Sequence, residues 1–336
     1  MTLALKPLGR TGLSLSVLGF GGTGLGNMYN AMSERDVIAT LDAAYDRGLR
    51  YYDTAPLYGH GLSEHRLGSA LRRFADSNVV VSTKVGWRMK PAFGQPTDAG
   101  LFQDIAAFAR FNDYSFDGVM RSFEDSLNRL GTDRVQILLI HDCDRRNQGE
   151  RYPEKFREVM AGAYKAVLSL REQGLVKAIG CGLNEWQACQ DFAHAGDFDC
   201  FLLAGRYTLL EQDSLQTFLP LCQKRGIGIV LGGPYNSGVL ASGAGPNAWF
   251  NYAPAPAEIL ERVTAIEAVC ARHGAPLKAA ALQFPLHHPC VASVIPGTHS
   301  AAQIDENLRM LHTPIPADLW RDLKAVNLMH ADAPTP

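Results

Sequence analysis

The sequence predicts a single (β/α)8 barrel of the TIM type over residues 1–336, with an N-terminal β-hairpin and long loops after strands three and seven. Three observations carry that prediction. Eight short apolar, β-prone runs alternate with helical patterns along nearly the whole chain, which is the mark of βα units and a parallel sheet. The length of 336 residues suits eight such units at about 250 residues plus insertions. A doubly wound sheet would need a glycine-rich turn that opens a helix directly, and no such turn is present.

In chain order, residues 3–15 carry Gly9 and Gly12 at their middle and read as a hairpin closing the bottom of the barrel. Strands are expected at 17–22, 51–55, 79–84, 135–141, 176–182, 200–205, 227–233 and 291–297. The first helix, 33–47, is capped by Ser33 and stopped by Gly48; the second, 63–74, begins at Ser63. Further helices are expected at 117–130, 155–173, 185–195 and 214–225, the last stopped by Gly226. Two helical stretches, 257–273 and 276–286, precede the eighth strand, and 301–311 follows it. Insertions at 86–116 and 234–256 fall on the side where barrel active sites are built. No linker or low-complexity tract marks a second domain.

Composition narrows the function class. With 46% hydrophobic and 20% charged residues and a formal net charge of −2, the chain can bury a large core. It offers no electrostatic reason to bind nucleic acid or an anionic membrane. Lys6 and Pro7 interrupt the N-terminal apolar run, so no signal peptide is expected. No apolar run approaches the roughly 18 residues that span a bilayer. The seven cysteines are scattered, with no Cys-x-x-Cys pair, as expected of reduced thiols in a cytoplasmic protein.

The chemistry concentrates at strand ends. In Tyr51-Tyr52-Asp53-Thr54-Ala55-Pro56-Leu57-Tyr58-Gly59 a carboxylate and a phenol stand five residues apart where a strand gives way to a turn. Such pairs move protons to and from oxygen. The next two strands end in Lys84 and His141. The apolar run 79–81 draws Lys84 inward, and a buried lysine needs a partner, for which Asp53 is nearest. An ammonium beside a phenol is expected to lower Tyr58 from about 10 towards working pH. His141 then positions a carbonyl or alcohol oxygen.

Two motifs are set aside. Gly19-Phe20-Gly21-Gly22-Thr23-Gly24 matches a dinucleotide fingerprint, but the chain runs on to Ser33 before a helix starts. It reads instead as a glycine-rich loop that lets a ligand approach the backbone. In His141-Asp142-Cys143-Asp144, strand alternation points His141 and Cys143 one way and Asp142 the other. No second cluster lies at a zinc spacing, so no metal is expected.

Together these residues resemble the aldo-keto reductase superfamily. Asp53-Thr54-Ala55-x-x-Tyr58-Gly59, followed by Ser63-Glu64 and Leu67-Gly68, is similar to its first signature. Ser82-Thr83-Lys84, Leu139-Ile140-His141, Val294-Ile295-Pro296-Gly297 and Glu306-Asn307 follow in the family's order. The resemblance implies a barrel that binds a nicotinamide dinucleotide in an extended pose. It also implies a tetrad in which Tyr58 is the general acid/base, Lys84 tunes it, Asp53 holds Lys84 and His141 orients the substrate oxygen.

By the same resemblance, Gly22, Thr23, Asp53, Asn184, Gly232, Gly233, Gly238, Gly297, Thr298, Gln303, Glu306 and Asn307 contact the cofactor. Leu183-Asn184 keeps only the asparagine of the usual Ser-Asn pair, and Gly232-Gly233-Pro234 replaces the usual stacking tyrosine. Gly297 and Gln303 stand where NADPH-preferring relatives carry Lys and Arg. NAD is therefore the expected cofactor, with NADP as the alternative, and oxidation the expected direction.

Asp113-Tyr114-Ser115-Phe116-Asp117 and Leu231-Gly232-Gly233-Pro234-Tyr235-Asn236-Ser237-Gly238 are similar to bacterial aldose 1-dehydrogenases of the L-fucose and D-threo-aldose type. Plant L-galactose dehydrogenases and NAD-dependent pyridoxal 4-dehydrogenases are similar neighbours. The implied reaction converts a sugar's anomeric hydroxyl to the lactone. Oxidation of pyridoxal, general aldehyde or ketone reduction, and a cofactor-sensing binding module are the alternatives. Tyr58 and His141 would touch the substrate, and Trp87, Trp249 and Tyr252 would supply its walls.

Overall fold

The computed structural model describes residues 3–74 and 78–336. Strands β1 (Leu5–Pro7) and β2 (Ser14–Ser16) form the N-terminal hairpin. Then β3 (Phe20–Gly21), α1 (Glu34–Asp46), β4 (Tyr51–Asp53), α2 (Leu62–Leu71) and β5 (Val80–Val85) alternate. The first insertion holds an antiparallel hairpin, β6 (Trp87–Pro91) and β7 (Phe108–Asn112). It is followed by α3 (Phe116–Leu130), β8 (Ile137–His141), α4 (Arg145–Gln148), α5 (Tyr152–Ala161) and α6 (Ala163–Glu172).

The chain continues through β9 (Ala178–Leu183), α7 (Trp186–Ala195), β10 (Cys200–Ala204), α8 (Phe218–Arg225) and β11 (Gly228–Gly232). The second insertion contains α9 (Val239–Ser242) and a small hairpin, β12 (Trp249–Phe250) and β13 (Ala253–Pro254). Last come α10 (Ala257–Arg272), α11 (Leu277–Gln283), β14 (Val291–Ile295), α12 (Ala301–His312) and α13 (Ala317–Ala325).

Eight strands pair in parallel in the order β14-β11-β10-β9-β8-β5-β4-β3. Parallel bridges Leu18–Val294 and Gly21–Gly297 bring the first strand to the last and close the barrel. One apolar set, including Tyr51, Ile137, Leu139, Leu202 and Ile295, fills the interior, with Leu8 and Leu15 of the hairpin capping its N-terminal end. A larger set lies between strands and helices. Period-two alternation on β5 explains both: Ser82 and Lys84 bond inward to Asp53, while Thr83 turns outward to Glu64 at 2.6 Å.

Four local expectations are corrected. The second helix starts at Leu62 behind Gly61, because the Ser63 hydroxyl is used elsewhere, on the Gly22 carbonyl and Thr54. The helix expected at 155–173 breaks at Gly162, where a Cβ would stand 2.5 Å from the Tyr114 carbonyl oxygen. The helix expected at 214–225 begins only at Phe218, after a short turn. α13, which buries Leu319, Trp320 and Leu323, was not anticipated. Among the described residues no helix is long and apolar enough to cross a membrane.

Candidate active site

Asp53, Tyr58, Lys84 and His141 meet at the C-terminal ends of β4, β5 and β8, as strand pairing demands. Lys84 is 1% exposed and Asp53 2%. The Lys84 Nζ donates to Asp53 Oδ2 at 2.7 Å, to the Thr54 carbonyl at 2.8 Å and to Tyr58 Oη at 3.1 Å. Asp53 Oδ1 accepts from Ser82, whose hydroxyl in turn meets Tyr51 Oη at 2.9 Å. Burial pushes the Asp53 carboxyl up, and the Lys84 ammonium and Ser82 oppose it.

Tyr58 corrects an expectation. Burial, reinforced by the Asp53 and Asp142 carboxylates, raises its phenol well above 10; the nearby ammonium does not lower it towards neutrality. A lysine only donates, so the Tyr58 oxygen accepts from Lys84 and its own O–H is left for the cavity. Burial holds His141 well below its ordinary value, so the imidazole is neutral at neutral pH. Its ring stands edge-on to Tyr58 with centroids 5.8 Å apart.

The residue after His141 also departs from expectation. Asp142 takes a φ of +53°, which turns its carboxylate back beside His141 instead of to the opposite face. Three bonds hold this left-handed turn. The Asp142 N–H donates to the Gly182 carbonyl at 3.2 Å, Gln148 Nε2 donates to the Asp142 carbonyl at 2.8 Å, and Tyr114 Oη donates to the His141 carbonyl at 2.8 Å. Asp142 Oδ2 accepts from Trp87 Nε1 at 2.9 Å, and Oδ1 lies 3.5 Å from His141 Nε2. Burial first, then Asp144, pushes the Asp142 carboxyl up to about 7. Strand alternation could not reveal this, since the strand ends at His141.

Two adjoining cavities open on these groups. A chamber of about 300 Å³ is lined by Tyr58, Lys84, His141, Trp87, Asp142 and Asn184, and also by Phe102, Arg146, Asn147 and Tyr252. A groove of about 350 Å³ runs from Asp53 and Tyr58 across the ends of β3, β11 and β14. Thr23, Tyr58 and Tyr252 belong to both.

The groove fits an extended dinucleotide. Gly232, Gly233, Gly238 and Gly297 give it a floor of bare backbone, and Thr23, Gln303 and Asn307 line it. Its far end meets the start of α12, where helix N–H groups and the dipole favour phosphate. Asn236, 3% exposed and lining the groove, keeps Oδ1 without a partner among the described residues. Lys278 is the one lysine or arginine among the lining residues, and it is paired with Glu306 at 2.6 Å.

Other predicted contacts lie elsewhere. Gly22 is behind the groove, its N–H on the Asp53 carbonyl at 2.8 Å, and Gly21 lines the groove instead. The Thr298 hydroxyl turns under the groove to the Pro296 carbonyl. Glu306 is taken up by Lys278, and Asn184 sits in the chamber, accepting from Tyr252 Oη at 3.2 Å. Trp249 is 39% exposed, packs edge-on to Tyr29 and does not line the chamber. Tyr252 from the same loop takes its place. Asp142, Asn147 and Arg146 were not among the expected site residues.

The comparisons agree with this geometry. The aldo/keto reductase family model matches residues 17–328. Pyridoxal 4-dehydrogenase of Microbacterium luteolum is 42% identical over 335 residues, covering 96% of this chain and 97% of that protein. D-threo-aldose 1-dehydrogenase of a Pseudomonas species is 38% identical, over 97% of both chains. The holo form of an aldo-keto reductase from Bacillus halodurans superposes with a TM-score of 0.76 over 98% of both chains at 23% identity, a likeness of fold. The chain belongs to the aldo-keto reductase family and is an NAD(P)-dependent oxidoreductase.

Proposed function

We propose that the enzyme is an NAD-linked aldose 1-dehydrogenase, oxidising the anomeric hydroxyl of sugars of the L-fucose, L-galactose and D-arabinose type to the lactone. The lining of the chamber is the observation that carries this reading. Beside Tyr58 and His141 stand Asp142, Asn147, Asn184 and Arg146, with Trp87 and Tyr252 as aromatic walls. Carboxylate, amide and guanidinium groups pair with ring hydroxyls, and aromatic faces cover sugar C–H surfaces. A plain aliphatic aldehyde would bring no hydroxyl to these groups and would leave Asp142 Oδ1 with only its long contacts.

In this reading the anomeric oxygen sits between Tyr58 Oη and His141 Nε2. The Asp142 carboxylate near Nε2 favours the tautomer with its proton there, so His141 donates to that oxygen. In reduction the Tyr58 phenol gives its proton to the substrate oxygen. In oxidation it is the phenolate form of Tyr58, after loss of its proton to solvent, that takes the hydroxyl proton, while Lys84 keeps the oxygen aimed. NAD bound in the groove would supply the acceptor for the hydride that leaves C1. Gly232, Gly233 and Gly238 would hold its diphosphate region, and Gly297, Gln303 and Asn307 its adenosine end.

Oxidation of pyridoxal through its cyclic hemiacetal is the second reading, favoured by the 42% identical relative. Product trapping separates the two. Incubation with NAD and L-fucose, followed by hydroxylamine, yields the sugar hydroxamate that only a lactone gives. Turnover of pyridoxal with no hydroxamate from any of the three sugars would replace the first reading by the second.

A further inference from the structure

The geometry points to Asp142 as the residue that selects a hydroxyl on the carbon next to the reacting one, which makes α-hydroxy carbonyl compounds and their cyclic forms the preferred substrates. The inference rests on the reading of the Tyr58 and His141 site as the place where the carbonyl reacts, and it goes beyond the choice of any one sugar.

Two independent observations carry it. The first is unused capacity. The Asp142 side chain is about nine-tenths buried, faces the chamber, and has one short hydrogen bond, from Trp87 at 2.9 Å to Oδ2. Oδ1 has only long neighbours, Asn147 Nδ2 at 3.4 Å and His141 Nε2 at 3.5 Å. Above the pH near 7 at which it titrates, the Asp142 carboxylate is ionised and accepts at about four sites, and buried acceptors are normally filled. The missing donor belongs to whatever enters the chamber. A hydroxyl donates, and the place beside His141 Nε2 is next to the oxygen that His141 positions.

The second observation is the backbone. An aspartate with φ of +53° sits in the left-handed region, uncommon for residues other than glycine, and such a turn persists when its surroundings over-determine it. Here Gly182, Gln148 and Tyr114 do so. Tyr114 is fully buried and belongs to the Asp113-Tyr114-Ser115 motif, which the catalytic reading leaves without a role. Asp113 completes the brace by accepting from the Ser115 hydroxyl at 2.6 Å and from Arg88 at 3.0 Å. A turn that only ended a strand would not need this support. Its effect is to hold one carboxylate at the reacting centre.

The discriminating substrates are lactaldehyde and propanal, which differ only in the α-hydroxyl, assayed by NADH-linked reduction with rates referred to free carbonyl. The wild type should prefer lactaldehyde by about 10- to 100-fold in kcat/KM, the range of one hydrogen bond to a charged group. In Asp142→Ala the ratio should fall to within about threefold, because the partner of the hydroxyl is gone. Asp142→Asn keeps the shape and the Trp87 contact; it should lower the ratio by at least about fivefold and carries the test if the alanine variant does not fold.

A purely structural role for Asp142 predicts equal losses on both aldehydes and an unchanged ratio, and that result overturns the inference. So does a wild type that treats the two alike or reduces neither. If no sugar is oxidised yet the ratio collapses in the variants, the aldose reading falls and the role of Asp142 stands.

Discussion

Around Tyr58, the balance between burial and a neighbouring ammonium decides the protonation state. Lys84 Nζ is 3.1 Å from the phenol oxygen, yet burial and two carboxylates push the phenol well above 10. The sign for stability follows. The folded chain keeps a proton that the unfolded chain surrenders near pH 10, so stability falls as pH rises past 10. A difference titration of wild type against Tyr58→Phe, followed by tyrosinate absorbance, should show no ionisation of Tyr58 below pH 10. Ionisation near pH 7 to 8 would mean that the ammonium outweighs burial. The tetrad residues were legible in the sequence because each stands at or just beyond the end of an apolar run. Asp142 was not, since strand alternation stops at His141 and a positive φ reverses the direction it predicts.

Elements place these residues only if the barrel closes at both ends. At the N-terminal end the β1–β2 hairpin presses Leu8 and Leu15 into the interior. Gly9, at a φ of +51°, lets the hairpin tip come so near that a Cβ would stand 2.6 Å from the Gly228 backbone nitrogen. Gly9→Ala should therefore destabilise the fold by about 1–3 kcal/mol through strain and overpacking. Thermal unfolding should show this as a lower Tm, with KM for cofactor unchanged because the groove is at the other end. Strands, hairpin and most helices were readable from runs bounded by turn residues. The β6–β7 hairpin was not: Trp87-Arg88-Met89-Lys90-Pro91 and Phe108-Ala109-Arg110-Phe111-Asn112 are half-buried to exposed, mixed in polarity and separated by a long loop. α5 and α6 read as one helix because the contact that breaks them, Gly162 against Tyr114, is distant in sequence.

Across the whole molecule, the barrel brings the first strand beside the last, and this builds the groove from residues nearly 300 positions apart. On the proposed reading, its charge selects the dinucleotide. The lining has one lysine, neutralised by Glu306, and an exposed Gln303 whose Oε1 accepts from the His299 N–H at 2.7 Å. A 2′-phosphate would meet no free cation among the lining residues, which favours NAD. Gln303→Arg should raise kcat/KM for NADP relative to NAD by about 10- to 100-fold, the scale of one charge-assisted contact. Steady-state rates with both cofactors check this, and an unchanged ratio would place the 2′-position away from residue 303.

The central claim is that a sugar hydroxyl loses its proton to the phenolate form of Tyr58 at the His141 end of this chamber. Initial-rate NADH absorbance tests it most directly, with wild type and Tyr58→Phe each given NAD and L-fucose, L-galactose, D-arabinose or pyridoxal. The account predicts rapid NADH formation by the wild type on at least one sugar. It also predicts a loss of about 10²- to 10⁴-fold in Tyr58→Phe, with NADH binding by fluorescence retained. Silence on every sugar, or undiminished turnover by the phenylalanine variant, would contradict it.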